Sequence, residues 1–330
     1  MREMSNQQRL ALVNAGQLLS GWQAARDQVK SHAYGLRWKN VHGQKRLFRQ
    51  RDRRGHGSVV QVDLDAAERL LNEFRQGKER AHARFDSLSA KLAEQARLNR
   101  ALRLSRAPEV VARVCRALDA AGLSKDFIVI GTNAMFAYES AAGVHFLAEL
   151  LASGDVDLLY DARKSLTLVS RKLDGEGLTG LLKKADRSFQ PLRKRHFRAA
   201  NDEGFLVDLV TPPRPMADPD PVSFAADDLV AAEVPGLQWL VNSPKLETVV
   251  IDEKGWPFPM RVPDPRAFAL HKAWLSRRLD RDPVKRPRDL SQARAVAEAV
   301  KAHMPQLPFV PDQLTFLHGD VRAAATLLVE

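Results

Sequence analysis

Phe127-Ile-Val-Ile-Gly-Thr-Asn133, Asp155-Val-Asp-Leu-Leu-Tyr160 and Phe205-Leu-Val-Asp-Leu-Val210 decide how this chain folds. Each carries a short apolar run of the length of a buried strand. In the first, Gly131-Thr132 comes at once after the strand, and an Ala-rich helical stretch follows to about Ala142. A turn of this kind aims backbone N–H groups at whatever lies before the helix, which favours an anion such as a triphosphate. Gly131 lets the backbone approach closely, the Thr132 hydroxyl adds a donor, and Asn133 is placed to cap the helix. In the second, Asp155 and Asp157 stand two apart, so both carboxylates leave one face of the strand. In the third, Asp208 sits alone in an apolar strand, which is costly unless it is paired or bound to a cation. Three carboxylates on neighbouring strands repel one another, and a divalent cation reverses that. Mg²⁺ suits such a site because it takes hard oxygen ligands, keeps waters and completes its shell from substrate phosphates. The chemistry implied is phosphoryl or nucleotidyl transfer.

Working outward, Leu166–Val169 is expected to open a helix or strand, and 178–184 a helix. The stretch closed by Thr211-Pro-Pro213 and running through Pro221 reads as a loop or linker. A hairpin is expected at Leu246–Asp252 and Trp256–Val262 around Lys254-Gly255, and helix from Pro265 to the end, broken near 280–287 and at Pro305, Pro308 and Pro311. Upstream, Pro108 opens a helix that Gly122 ends. Residues 7–29 show a helical apolar face, and 63–104 a long helical pattern interrupted at Lys78, Gln95 and Asn99. That long helix reads as an arm packed on the first helix or on a second copy of the chain, the latter giving a homodimer. Between the two lies a hairpin, 34–41 and 44–50 around His42-Gly43, with a third short strand at 58–62.

This hairpin carries Arg37, Lys39, Lys45, Arg46, Arg49, Arg51, Arg53 and Arg54, with Trp38 and Phe48 among them. The whole chain of 330 residues has a net charge of +11, and its distribution is lopsided. Residues 1–100 hold 20 Lys/Arg against 10 Asp/Glu, whereas the other 230 hold 31 against 30. A basic module on a neutral body implies a polyanion partner, RNA or DNA, with Arg37, Lys39, Lys45, Arg46 and Arg49 as contacts; a solvated face is the alternative. The aromatic pair could stack on bases or form the small sheet's own core.

The order of motifs resembles that of the DNA polymerase β-like nucleotidyltransferase superfamily: Ile130-Gly131-Thr132, then Asp155-Val-Asp-Leu-Leu159, then Val207-Asp-Leu209. Gly131–Glu139, Asp155–Asp161, Val207–Pro212 and Asp264–Ala293 resemble segments of a bacterial group of poorly characterised nucleotidyltransferase-like proteins, and more distantly AbiEii-type nucleotidyltransferase toxins. The resemblance implies a mixed α/β (α+β) architecture. A minimal nucleotidyltransferase core with a short mixed sheet would occupy 107–262, a C-terminal helical lobe 263–330, and the basic helix–sheet–helix module 1–106. It also implies that Asp155 and Asp157 hold two Mg²⁺ ions and that Asp208 holds one of them and helps deprotonate a hydroxyl. Gly131 and Thr132 would grip the triphosphate, and Lys272 with Lys285 or Arg288 would contact phosphates. The implied reaction moves NMP from an NTP to an RNA 3′ end, a protein or a small molecule. The rival is a non-catalytic nucleic-acid-binding or antitoxin-like regulator that keeps the fold. Two departures stand out: Thr132 occupies a position usually held by Gly or Ser, and the gap from Gly131 to Asp155 is about double the usual one, so Ala141–Gly154 must extend the helix or form a small excursion.

Composition excludes other classes. Hydrophobic residues are 45% and charged residues 28%, the balance of a globular protein able to bury a sizeable core. The one cysteine, Cys115, rules out an intrachain disulfide, and no CxxC, HExxH or EF-hand pattern occurs. The opening MREMSNQQRL lacks the apolar core of a secretory signal, and no run of about 18 apolar residues suggests a membrane span. A reducing cytoplasm is the expected compartment.

Overall fold

The computed structural model describes residues 1–52, 54–161, 163, 166–173, 175–193, 196–214 and 221–328. Arg53 and most of the loop expected before Pro221 lie outside them. The chain divides into two compact units, one of Val13–Leu98 and one of Met1–Leu12 with Asn99–Glu330. From the amino end the elements are β1 (Arg2–Glu3), α1 (Asn6–Ser31), β2 (Leu36–Val41), β3 (Gln44–Gln50), β4 (Gly57–Val59), α2 (Leu64–Ala101) and α3 (Glu109–Ala120). Next come β5 (Phe127–Ile130), a 3-10 turn over Thr132–Ala134, α4 (Met135–Ala142), β6 (Val144–His145), α5 (Ala148–Leu151), β7 (Asp155–Tyr160), α6 (Leu166–Lys172) and α7 (Gly177–Ala185). Then follow β8 (Gln190–Pro191), β9 (Arg198–Ala200), β10 (Leu206–Thr211), β11 (Ala232–Glu233), α8 (Leu237–Asn242), β12 (Lys245–Ile251), β13 (Pro257–Pro263), α9 (Pro265–Arg277), α10 (Lys285–His303) and α11 (Gly319–Ala323). Past Pro305 the chain makes only short turns and α11, because the three prolines expected to break the helix fall within seven residues and remove the backbone donors a helix needs.

The central sheet of the larger unit runs β5-β7-β10-β9-β8, with β11 added to β10. β7 and β10 are parallel, as are β10 and β11, whereas β5, β9 and β8 pair antiparallel with their neighbours, so the sheet is mixed. All four residues of β5 are buried, as are Val156, Leu158 and Leu159 of β7 and Val207 and Leu209 of β10. Phe127, Tyr160 and Phe224 meet ring to ring at 5.1–5.7 Å, which adds aromatic packing to this apolar layer. Tyr138 of α4 donates to the Pro263 carbonyl at 3.0 Å and so ties the helix after the Gly131 turn to the β12–β13 hairpin. The long gap before Asp155 is an excursion: Gly143, at φ 66°, ends α4, and β6 leaves to pair with β1. Glu139 of α4 is buried, bound by both arms of Arg106 at 2.9 and 3.0 Å, and accepts from the Phe146 N–H. Trp256, at the start of the second hairpin strand expected from the sequence, is 38% exposed.

In the smaller unit α2 packs on α1: Trp22 donates to Ser89 at 3.0 Å and its ring lies 5.5 Å from Phe85. The β2–β3 turn places His42 at φ 50° and Gly43 at φ 77°, two consecutive positive values that match the twist of a tight hairpin. Pairing of Arg37 with Phe48, Lys39 with Arg46 and Trp38 with Leu47 sorts the side chains by face. Leu36, Trp38 and Leu47 pack on Ala67 and Leu71 of α2, so Trp38 is part of this unit's core. Lys45 and Arg49 share that face, with Lys45 over the Trp38 ring at 4.8 Å. Arg37, Lys39 and Arg46 share the other face, where Lys39 lies 4.7 Å above the buried Phe48 ring. No helix among the described residues is long and apolar enough to cross a membrane.

Candidate active site

Register brings the carboxylates together. Asp208 on β10 stands opposite Asp157 on β7, and Ile130 on β5 stands opposite Asp157 from the other side. Gly131 leaves β5 at φ 66° and ψ −157°, a backbone state essentially reserved for glycine. A Cβ built there would lie 2.3 Å from the Asp157 Oδ2, so the turn and the carboxylate need each other's space. Gly131→Ala is therefore expected to cost about 1–3 kcal/mol of stability and to displace Asp157; urea unfolding of the variant checks it.

The cleft above this end of the sheet has a volume of about 1020 Å³. Gly131, Thr132, Asp155, Asp157, Asp208, Lys272, Lys285 and Arg288 all line it, so the eight residues expected there converge on one wall-to-wall space. Asn133 does not cap the helix. Its Nδ2 donates to the Asp155 carbonyl at 2.6 Å, fastening the turn to β7 instead. The Asp155 carboxylate accepts from Ser153 at 2.5 Å. Asp157 has its carboxyl pushed up to about 7 by burial first and by Asp155 and Asp208 next, against the pull of Lys272 and Arg198.

Two of the three cationic groups expected to contact phosphates, Lys272 and Arg288, are committed within the protein. Lys272 is buried on α9 and donates to Asp289 Oδ1 at 2.7 Å, while Arg281 donates to Asp289 Oδ2 at 2.7 Å. Burial lowers the Lys272 pKa, and Asp289 opposes that. Asp289→Ala would leave a buried ammonium without its partner and is expected to destabilise the fold by roughly 3–5 kcal/mol, measurable by denaturant unfolding. Arg288 donates to the Leu150 and Ala152 carbonyls, holding the segment that leads into β7, and its Nε is buried without a partner among the described residues. Lys285 is exposed at the cleft's rim. His271, beside Lys272, is buried with Trp239 and Trp274 and is pushed down to about 3, chiefly by burial, so it is a neutral imidazole.

Sequence reading missed Arg198. It stands opposite Asp208 on β9 and binds it with both arms, Nε to Oδ1 at 2.6 Å and Nη2 to Oδ2 at 2.5 Å. The hydrogen bonds to Asp208 raise the already high Arg198 pKa. The signal was the turn Asn201-Asp-Glu-Gly204, which folds Phe197–Ala200 back along β10. Among the described residues no three His, Cys, Asp or Glu side chains converge closely enough to hold a metal ion by themselves. Asp155 and Asp157 still fit a hard cation that takes the rest of its shell from phosphates and water. Burial first, and the Asp155 and Asp208 carboxylates next, raise the Asp157 pKa, and a cation bound there would favour its charged form.

A family model described as nucleotidyltransferase matches residues 109–314, well over half the chain. The protein belongs to that nucleotidyltransferase family. No curated protein and no solved structure matches it.

Proposed function

We propose that this cleft transfers a nucleoside monophosphate from an NTP to a hydroxyl acceptor and releases pyrophosphate, with Mg²⁺ as the cofactor. The observation that carries the reading is the parallel register of Asp157 with Asp208 beside the Gly131 turn. Sheet order assigns the sides: the Gly131–Thr132 turn flanks β7 on one edge, and Asp208 and Arg198 flank it on the other. The triphosphate then lies over β5 and β7, near Lys285 and Arg288, and the attacking hydroxyl approaches over β10. Asp155 and Asp157 would hold the cation, which when bound offsets charge on the leaving pyrophosphate and favours ionisation of the hydroxyl. The hydroxyl oxygen forms its bond to the α-phosphorus as the bond to the bridging oxygen breaks, and the hydroxyl proton passes to Asp208. For that, Arg198 must release Asp208.

The acceptor is an RNA 3′ end, a protein or a small molecule, and the basic β2–β3 face favours RNA over the others. A specific observation supports a second reading. Arg198 neutralises Asp208 with two charge-assisted hydrogen bonds, as a regulator that has given up catalysis would allow. Incubation with each α-labelled NTP and Mg²⁺, with and without total RNA, separates the two. Label transfer or self-labelling supports the enzyme; RNA binding without turnover supports the regulator.

A further inference from the structure

One side chain of α10 reaches the Gly131 turn. The Nε2 of Gln292 lies 3.1 Å from the Thr132 Oγ1 and 2.7 Å from the Leu150 carbonyl oxygen. Gln292 is 1% exposed, lines the cleft, and its Oε1 has no partner among the described residues. Leu150 fixes which way the amide faces. A carbonyl oxygen only accepts, so the atom opposite it must be the amide nitrogen with its two hydrogens. The second of these hydrogens goes to Thr132 Oγ1, which therefore accepts. A hydroxyl has one hydrogen, and that of Thr132 is left to point away from Gln292.

We propose that Gln292 is a positioning residue, which holds the Thr132 hydroxyl as a donor toward a phosphate of the bound nucleotide. The proposal rests on the nucleotidyl-transfer reading of the cleft and adds to it the origin of the turn's donor geometry. It also explains how Thr132 serves where a smaller residue is usual: its rotor is set from outside the turn, by the helix that carries Lys285 and Arg288.

The test is a double-mutant cycle on the full chain, read as the dissociation constant of inorganic tripolyphosphate with Mg²⁺, a probe without a base. Gln292→Met and Thr132→Val are each expected to weaken binding about 10- to 100-fold, the worth of one hydrogen bond to a charged group. The double variant should bind no more weakly than Thr132→Val alone, because Gln292 has nothing left to orient. Packing changes alone would not produce that saturation. Gln292→Leu, uncharged and with no donor, should lose as much as Gln292→Met and replaces it in the cycle if the methionine variant does not fold. Unchanged binding by the Gln292 variants, or losses that multiply in the double variant, would overturn the positioning role. Wild-type protein that bound no tripolyphosphate would overturn the nucleotidyl-transfer reading and this role with it.

Discussion

Asp157→Asn is expected to make the ligand-free protein more stable at pH 8 while lowering NMP transfer by about 10³-fold or more. The sign follows from the carboxyl being pushed up from 3.8 to about 7 in the folded chain. Between those values the folded state keeps a proton that the unfolded state has lost, so stability falls as pH rises through that window. Above pH 7 the wild-type chain carries the full cost of an ionised buried carboxylate, on the order of 2–4 kcal/mol. Asparagine carries none of it. The gain should therefore be several degrees at pH 8 and vanish near pH 4, where the wild-type carboxyl is protonated in the folded state. Unfolding curves for both proteins at the two pH values check this, and an equal difference at both would remove the electrostatic explanation. If Asp155 and Asp157 hold Mg²⁺ as proposed, proton and cation compete for the same oxygens, and stabilisation by Mg²⁺ with NTP should weaken as pH drops below 7.

Reversing Arg37, Lys39 and Arg46 together to Glu should weaken binding of the full chain to RNA by about 10²-fold and flatten its salt dependence. These three share the sheet face that is turned from α2. If each neutralises a phosphate, the slope of log affinity against log salt should fall by roughly 2–3. Lys45→Gln with Arg49→Gln should cost less, since those residues lie on the face that packs on α2. With Phe48 buried and Trp38 in the core, the interaction should show little preference among bases. Equal losses from both sets, or no salt-sensitive binding at all, would return the module to the role of a solvated face.

The nucleotidyltransferase core was legible because its signals are local. An apolar run followed by Gly131, a two-residue spacing from Asp155 to Asp157, and an Asp in an apolar strand each report geometry directly through the pleat of a strand. That Asp157 and Asp208 lie on neighbouring strands was expected, but their parallel register came only with the fold. Arg198 was not legible because β9 has three residues, too few to show alternation, and its importance comes only from lying across from Asp208. Gln292 lies 160 residues from Thr132, a separation no periodicity bridges. Asn133 shows the limit of a local rule: its position suited a cap, but the Asp155 carbonyl on the neighbouring strand was the nearer partner. On the hairpin, charge alone named the basic residues, and only the pairing register divided them between faces.

Counting products tests the central claim most directly. Wild-type protein and Asp157→Asn would be incubated side by side with Mg²⁺ and NTP labelled at the α-phosphate, and pyrophosphate released would be compared with label attached to the acceptor. Nucleotidyl transfer predicts one pyrophosphate for each label transferred by the wild type and neither product from the variant. Orthophosphate in place of pyrophosphate, or equal transfer by the two proteins, would contradict it.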